Sequence, residues 1–187
     1  MKKLLLFTIA LICAHSVFAQ KTSFEPRVKF SYEFGMNKYK PDAITGQVAF
    51  GMRSSEQTWL AIGVETTKME GIFKRGASFW HDEYHNDGKS ISVLLAANHD
   101  LISNGVVRPY LEGDIGFIFL KDEDPEFSNK DENYSGFFLR PELGVNFKFK
   151  RHTISLGCGF KFFKLFSFEE DGWFIQVAPS LAYRFRF

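Results

Sequence analysis

The stretch from Trp173 to Phe187 alternates with a strict period of two. Trp173, Ile175, Val177, Pro179, Leu181, Tyr183, Phe185 and Phe187 fall on one side, and Phe174, Gln176, Ala178, Ser180, Ala182, Arg184 and Arg186 on the other. Successive strand side chains point to opposite faces, so this is a strand with one unbroken apolar face and one face that is mostly small or basic. It ends on the carboxyl-terminal residue. An exposed aromatic edge invites pairing with other chains, so the apolar face needs a cover, and lipid is the candidate that the rest of the chain supports.

The same alternation recurs seven times upstream. Val28, Phe30, Tyr32, Phe34 and Met36 oppose Lys29, Ser31, Glu33 and Gly35; Ile44, Val48, Phe50 and Met52 oppose Gln47, Ala49, Gly51 and Arg53. Leu60, Ile62 and Val64 oppose Trp59, Ala61, Gly63 and Glu65, and Ile91, Val93, Leu95 and Ala97 oppose Ser90, Ser92, Ala96 and Asn98, with Leu94 an exception. Leu111, Ile115, Phe117 and Phe119 oppose Arg108, Tyr110, Glu112, Asp114 and Gly116. Phe137, Leu139, Leu143, Val145 and Phe147 oppose Arg140, Glu142, Gly144 and Asn146, while Ile154, Leu156, Cys158, Phe160 and Phe162 oppose Thr153, Ser155, Gly157, Gly159 and Lys161. Connections alternate too: longer loops near 37–43, 67–89, 121–135 and 164–172, short turns near 54–57, 100–105 and 149–152. Long loops on one side and short turns on the other are the asymmetry of a membrane-spanning barrel. The expected fold is all-β: an eight-stranded antiparallel up-and-down transmembrane β-barrel.

A soluble eight-stranded barrel would turn the apolar set inward. Such an interior is only just wide enough for side chains or one small ligand. It could not hold Phe30, Tyr32, Phe34, Phe50, Phe117, Phe119, Phe137, Phe147, Phe160, Phe162, Tyr183, Phe185 and Phe187 together. The opposite face is rich in glycine and small residues, which leave room for long charged chains in a narrow lumen. The membrane reading follows.

Met1-Lys2-Lys3 is a basic n-region, Leu4 to Cys13 an apolar core, and Val17-Phe18-Ala19 an acceptable cleavage site. Residues 1–19 are expected to be a cleaved signal peptide, leaving residues 20–187 as the barrel domain. Ile12 before Cys13 argues against lipidation, and loss of Cys13 leaves Cys158 without a partner for a disulfide. After the signal no run of about 18 apolar residues occurs, so a helical membrane protein is excluded. Removing Lys2 and Lys3 from 23 basic residues leaves 21 against 22 acidic ones, a balance that gives no reason to expect nucleic acid.

A final strand closing on Tyr183, Phe185 and terminal Phe187 resembles the assembly signal of Gram-negative outer-membrane β-barrels. The pattern over residues 28–187 is similar to the small eight-stranded outer-membrane β-barrel family, with its OmpA-transmembrane-, OmpX- and OmpW-like members and its PorT-like barrels. The resemblance implies location in the cell outer membrane among lipid and lipopolysaccharide, and recognition of the terminal strand by the barrel-insertion machinery. It also implies envelope integrity, surface interaction or passage of small hydrophobic molecules as roles. The chain departs from OmpA in lacking a periplasmic domain after the barrel.

Candidate chemistry lies on the inward face. Glu33, Glu65, Glu112, Asp114 and Glu142 stand with Lys29, Arg53, Arg108, Arg140, Lys161, Arg184 and Arg186. Arg or Lys facing hydrocarbon near the midplane costs about 2–4 kcal/mol, so these charges belong inside, paired with one another. The pairs expected are Arg140 with Glu142 and Arg108 with Glu112; a proton or small-ion path is the alternative use of the same groups.

In the loops, Trp80-His81-Asp82-Glu83-Tyr84-His85-Asn86-Asp87 could chemically hold a transition metal but reads as a solvated loop. Lys121-Asp122-Glu123-Asp124-Pro125-Glu126 lacks the glycine and glutamate spacing of a calcium loop. Phe73, Phe79, Trp80 and Tyr84 could build an adhesive surface, and Trp173 an interfacial anchor. No Gly-x-Ser-x-Gly elbow occurs, and His99 and His152 fall near the short turns. The expectation is a non-enzymatic barrel without cofactor or metal, its lumen mostly closed and charge-lined, acting through its extracellular loops. A narrow porin-like channel and a lipid-modifying enzyme are the alternatives.

Overall fold

The computed structural model describes residues 23–36, 42–70, 88–122, 133–166 and 173–187. Eight strands follow one another: β1 (Phe24–Gly35), β2 (Asp42–Arg53), β3 (Thr58–Glu70), β4 (Gly88–Asp100), β5 (Val107–Asp122), β6 (Asn133–Phe149), β7 (His152–Phe166) and β8 (Phe174–Phe185). Each pairs antiparallel with its sequence neighbours, and β1 pairs with β8 to close the barrel. Closure leaves no free sheet edge among the described residues, which answers the exposure problem of the terminal strand.

The strands are staggered. A walk along hydrogen-bonded partners from Arg27 passes Ala49, Gly63, Leu94, Gly116, Phe138 and Phe163 and reaches Phe174. Across the closing seam Arg27 instead faces Arg184, further along the same strand. This offset is the shear that closure of a tilted sheet requires. It brings residues from opposite ends of different strands to one level of the lumen.

The alternation sorts as the period demands. Phe30, Ile44, Ile62, Leu95, Phe117, Leu143, Leu156 and Leu181 are exposed on the outer wall, while Lys29, Thr45, Glu65, Ser92, Asp114, Arg140, Lys161 and Gln176 are buried inside. Leu94, out of pattern by residue type, follows the pleat and is buried. An outer wall this apolar is matched to hydrocarbon. At the turn end aromatic rings gather on that wall: Phe24 lies 5.9 Å from Phe187 and 6.1 Å from Phe50, and Phe185 4.9 Å from Phe187. His152 Nδ1 is 2.6 Å from the Tyr183 hydroxyl there. Toward the loop end Trp173 packs edge-on against Phe137, at 5.1 Å. Two aromatic levels bracketing an apolar band form the girdles of a membrane barrel.

Two differences from the sequence expectation matter, and one set of expectations lies beyond the described residues. Strand β1 begins at Phe24 rather than Val28, so Glu25 and Arg27 also point inward. The last short turn is tighter than expected, Phe149 pairing with His152 across Lys150 and Arg151, with Lys150 at a φ of 52°. The His81–His85 stretch, the acidic run beyond Asp122 and the aromatics Phe73, Phe79, Trp80 and Tyr84 lie outside the described residues.

Candidate functional site: the lumen

Three tiers fill the barrel interior. Toward the loop end the inward positions are mostly apolar: Met69, Ile118, Leu120, Phe138, Phe163, Leu165 and Phe174 are buried together, with Thr67 and Ser90 beside them. Phe163 and Phe174 face one another across β7 and β8 and stack at 4.5 Å, 5° from parallel. Phe138 pairs with Phe163 in the register, its ring 5.3 Å from the Lys161 ammonium. Of this cap, only Phe174 belongs to an alternation that the sequence pattern places on the inner face.

The middle tier is ionic. The Arg140 guanidinium reaches Asp114 at 2.6 Å, Glu65 at 2.8 Å and Glu33 at 3.4 Å. Lys161 bridges the same Glu65 and Glu33, at 2.7 and 3.1 Å. Below them Glu112 receives Arg27 at 2.6 Å and Lys29 at 2.8 Å, and Lys29 also holds Glu142 at 2.6 Å. Tyr110 donates its hydroxyl to Glu142 at 2.6 Å, and Arg27 donates to Gln47 at 2.8 Å. Side chains in these ion pairs are at most 3% exposed. Buried charges persist only when paired and hydrogen-bonded, and here each carboxylate meets a cation from a different strand.

The pairs expected from the sequence do not form. Arg140 and Glu142 stand two apart on β6, about 6–7 Å, and Arg108 and Glu112 four apart on β5, about 13 Å, and these side chains reach across the lumen rather than along the strand. Arg108 lies near the turn end, half-buried, donating to the Gly105 carbonyl at 2.9 Å and 3.7 Å from Asp100. Residues the sequence reading passed over carry much of the network: Arg27 and Glu25, visible once the alternation is extended back from Val28, and Asp100, one step beyond Asn98.

At the turn end Glu25 accepts from Arg53 and Arg186, both at 2.7 Å, and Asp100 from Lys148 and, at 2.6 Å, Asn146. Arg184 makes no ion pair among the described residues. It donates to Asn98 at 3.3 Å and lies 5.1 Å from the Trp59 ring, on which Arg27 also packs at 4.6 Å. Glycine makes this crowding possible. A side chain at Gly157 would run into the Tyr110 hydroxyl and the Glu142 carboxylate.

The described histidines stand apart from these groups. His99 Nδ1 is 2.9 Å from the Thr58 hydroxyl and His152 contacts Tyr183, both exposed at the turn end.

No protein-family model matches the chain, and no curated protein matches it by sequence. Solved structures do. Neisserial surface protein A superposes with a TM-score of 0.64 at 15% identity, covering 90% of this chain and all (100%) of that one. The outer membrane protein OprG from Pseudomonas aeruginosa gives 0.52 at 12% identity, covering 88% and 95%. Identities this low speak to architecture alone, and architecture is what the closed, apolar-walled barrel shares with them. The chain has the fold of the small eight-stranded outer-membrane β-barrels.

Proposed function

We propose that residues 1–19 direct export and are removed, and that residues 20–187 act as a non-enzymatic outer-membrane barrel with a closed lumen. Its role in this reading is envelope integrity or surface interaction, exercised through the long-loop end. The terminal strand with Tyr183, Phe185 and Phe187 is the element offered to the insertion machinery.

The observation that carries this reading is the pair of seals in series. A stacked, largely apolar aromatic cap fills the loop end, and beneath it four cations and five carboxylates from five strands are cross-linked across the bore. An ion crossing the barrel would have to separate pairs that cost several kcal/mol to break. Lumen groups consumed in holding one another are poor candidates for catalysis or a solute path.

Refolded residues 20–187 in a planar bilayer test it, after heat-modifiable gel migration has established the folded barrel. A shifted, electrically silent protein is the expected result. Reproducible conductance that changes in Glu142→Gln would replace this reading with a narrow channel. Altered lipid A in membranes carrying the protein would replace it with a lipid-modifying enzyme.

A further inference from the structure

Arg184 is the buried charge that the lumen network leaves over. It is 2% exposed, and its hydrogen bond among the described residues runs from Nη2 to the Asn98 side-chain oxygen at 3.3 Å. Its Nε and Nη1 meet no acceptor among the described residues. The carboxylates around it are already taken. Asn98 donates onward to Glu112 at 2.9 Å, but Glu112 holds Arg27 and Lys29. Glu25 holds Arg53 and Arg186, and Asp100 holds Lys148.

The register then sets a second guanidinium directly opposite, Arg27, across the β1–β8 seam. Like charges facing one another on neighbouring strands destabilise a sheet. Both guanidiniums pack on the Trp59 ring, 4.6 and 5.1 Å from its centre, and that ring is fixed by its own donation to the Glu25 carbonyl at 3.1 Å. Arg27 has its ion pair with Glu112, yet its Nε also meets no acceptor among the described residues. Unmet N–H groups on two buried guanidiniums beside one indole make a surface for negative charge, because a buried cation is tolerated only when paired and hydrogen-bonded.

The neighbouring inward positions are small: Ala49 beside Arg27, Thr153 beside Arg184, and Ala182 one inward step up β8. The ion pairs of Glu25 and Asp100 close the turn end over them. An occupant must therefore be small and give up its water. Guanidinium is itself weakly hydrated and suits an anion that dehydrates easily, which favours a halide over phosphate or sulfate. We propose that Arg184 and Arg27, packed on Trp59, form an internal site for one small monovalent anion of the halide class. Seated there, the anion ties β8 to β1 at the closing seam, and barrel stability depends on halide.

The test uses residues 20–187 refolded in lipid vesicles with Trp80→Phe and Trp173→Phe, which leaves Trp59 as the single tryptophan. Heat-modifiable migration is checked for every variant. Sodium iodide, a contact quencher of indole, is titrated at constant ionic strength against sodium gluconate, whose anion is too large for the site. Trp59 emission should be quenched to saturation and recover on adding sodium chloride, while the neutral quencher acrylamide stays weak. Arg184→Gln should weaken iodide binding by about 10- to 100-fold, the worth of a charge-assisted hydrogen bond. Lys150→Gln with Arg151→Gln, exposed basic residues of the adjoining turn, should leave it unchanged. A second measurement needs no variant: exchanging gluconate for chloride should raise the urea midpoint of the barrel, and should do so less in Arg184→Gln. Quenching that rises linearly with iodide, that chloride does not reverse, that Arg184→Gln leaves undiminished or that the Lys150 and Arg151 variant loses equally would overturn the site, as would a urea midpoint indifferent to chloride.

Discussion

Arg140→Met is the substitution that most directly tests whether the middle tier is a dry, cross-linked plug. Methionine keeps most of the stem and removes the guanidinium. Glu65, Asp114 and Glu33 would then converge with Lys161 the nearest remaining cation for two of them, and Asp114 left to Arg27 and Lys29 at 3.6 and 3.8 Å. Breaking a buried pair by removing one partner costs about 3–5 kcal/mol, and every group concerned here is at most 1% exposed, so the full range applies. With a urea slope of about 2 kcal/mol per molar, the unfolding midpoint of the barrel refolded in lipid should fall by about 2 M. Adding Asp114→Asn to Arg140→Met should return part of the loss, because one stranded charge is removed with its partner; a coupling of about 0.5–3 kcal/mol is expected for residues in contact. A loss below about 1 kcal/mol, or strict additivity of the two changes, would mean that the charges are solvated as surface pairs are, and the sealed lumen would not stand.

Two further outcomes follow from the packing. Gly157→Ala should destabilise by about 1–3 kcal/mol by forcing Tyr110 and Glu142 apart, and the penalty should shrink in a Tyr110→Leu background, measured by the same urea titrations. Cys158, exposed on the outer wall, should after nitroxide labelling in a bilayer collide more with oxygen than with a water-soluble nickel chelate; the reverse would put the apolar face inside.

Much of this was legible in the residues. A strand pleat has a period of two regardless of its surroundings, so thirteen-residue stretches such as β4 declare which side chains share a face, and Leu94 shows that the pleat prevails even over residue type. Eight such stretches with alternating connection lengths leave little choice but an up-and-down barrel, and the bulk of the aromatic set decides that it faces outward. Facing, strand number and order are local properties repeated along the chain.

Partnership is not local. Alternation says that Arg140 points inward but not which carboxylates it meets, because that depends on the shear, a property of closure that appears only when β1 joins β8. Arg140 on β6 thus meets Glu33 of β1, Glu65 of β3 and Asp114 of β5, rather than Glu142 beside it. The aromatic cap depends on register instead: Phe138, Phe163 and Phe174 become neighbours only when β6, β7 and β8 pair. The pattern of one strand selects a face; the angle at which eight strands close selects the contacts.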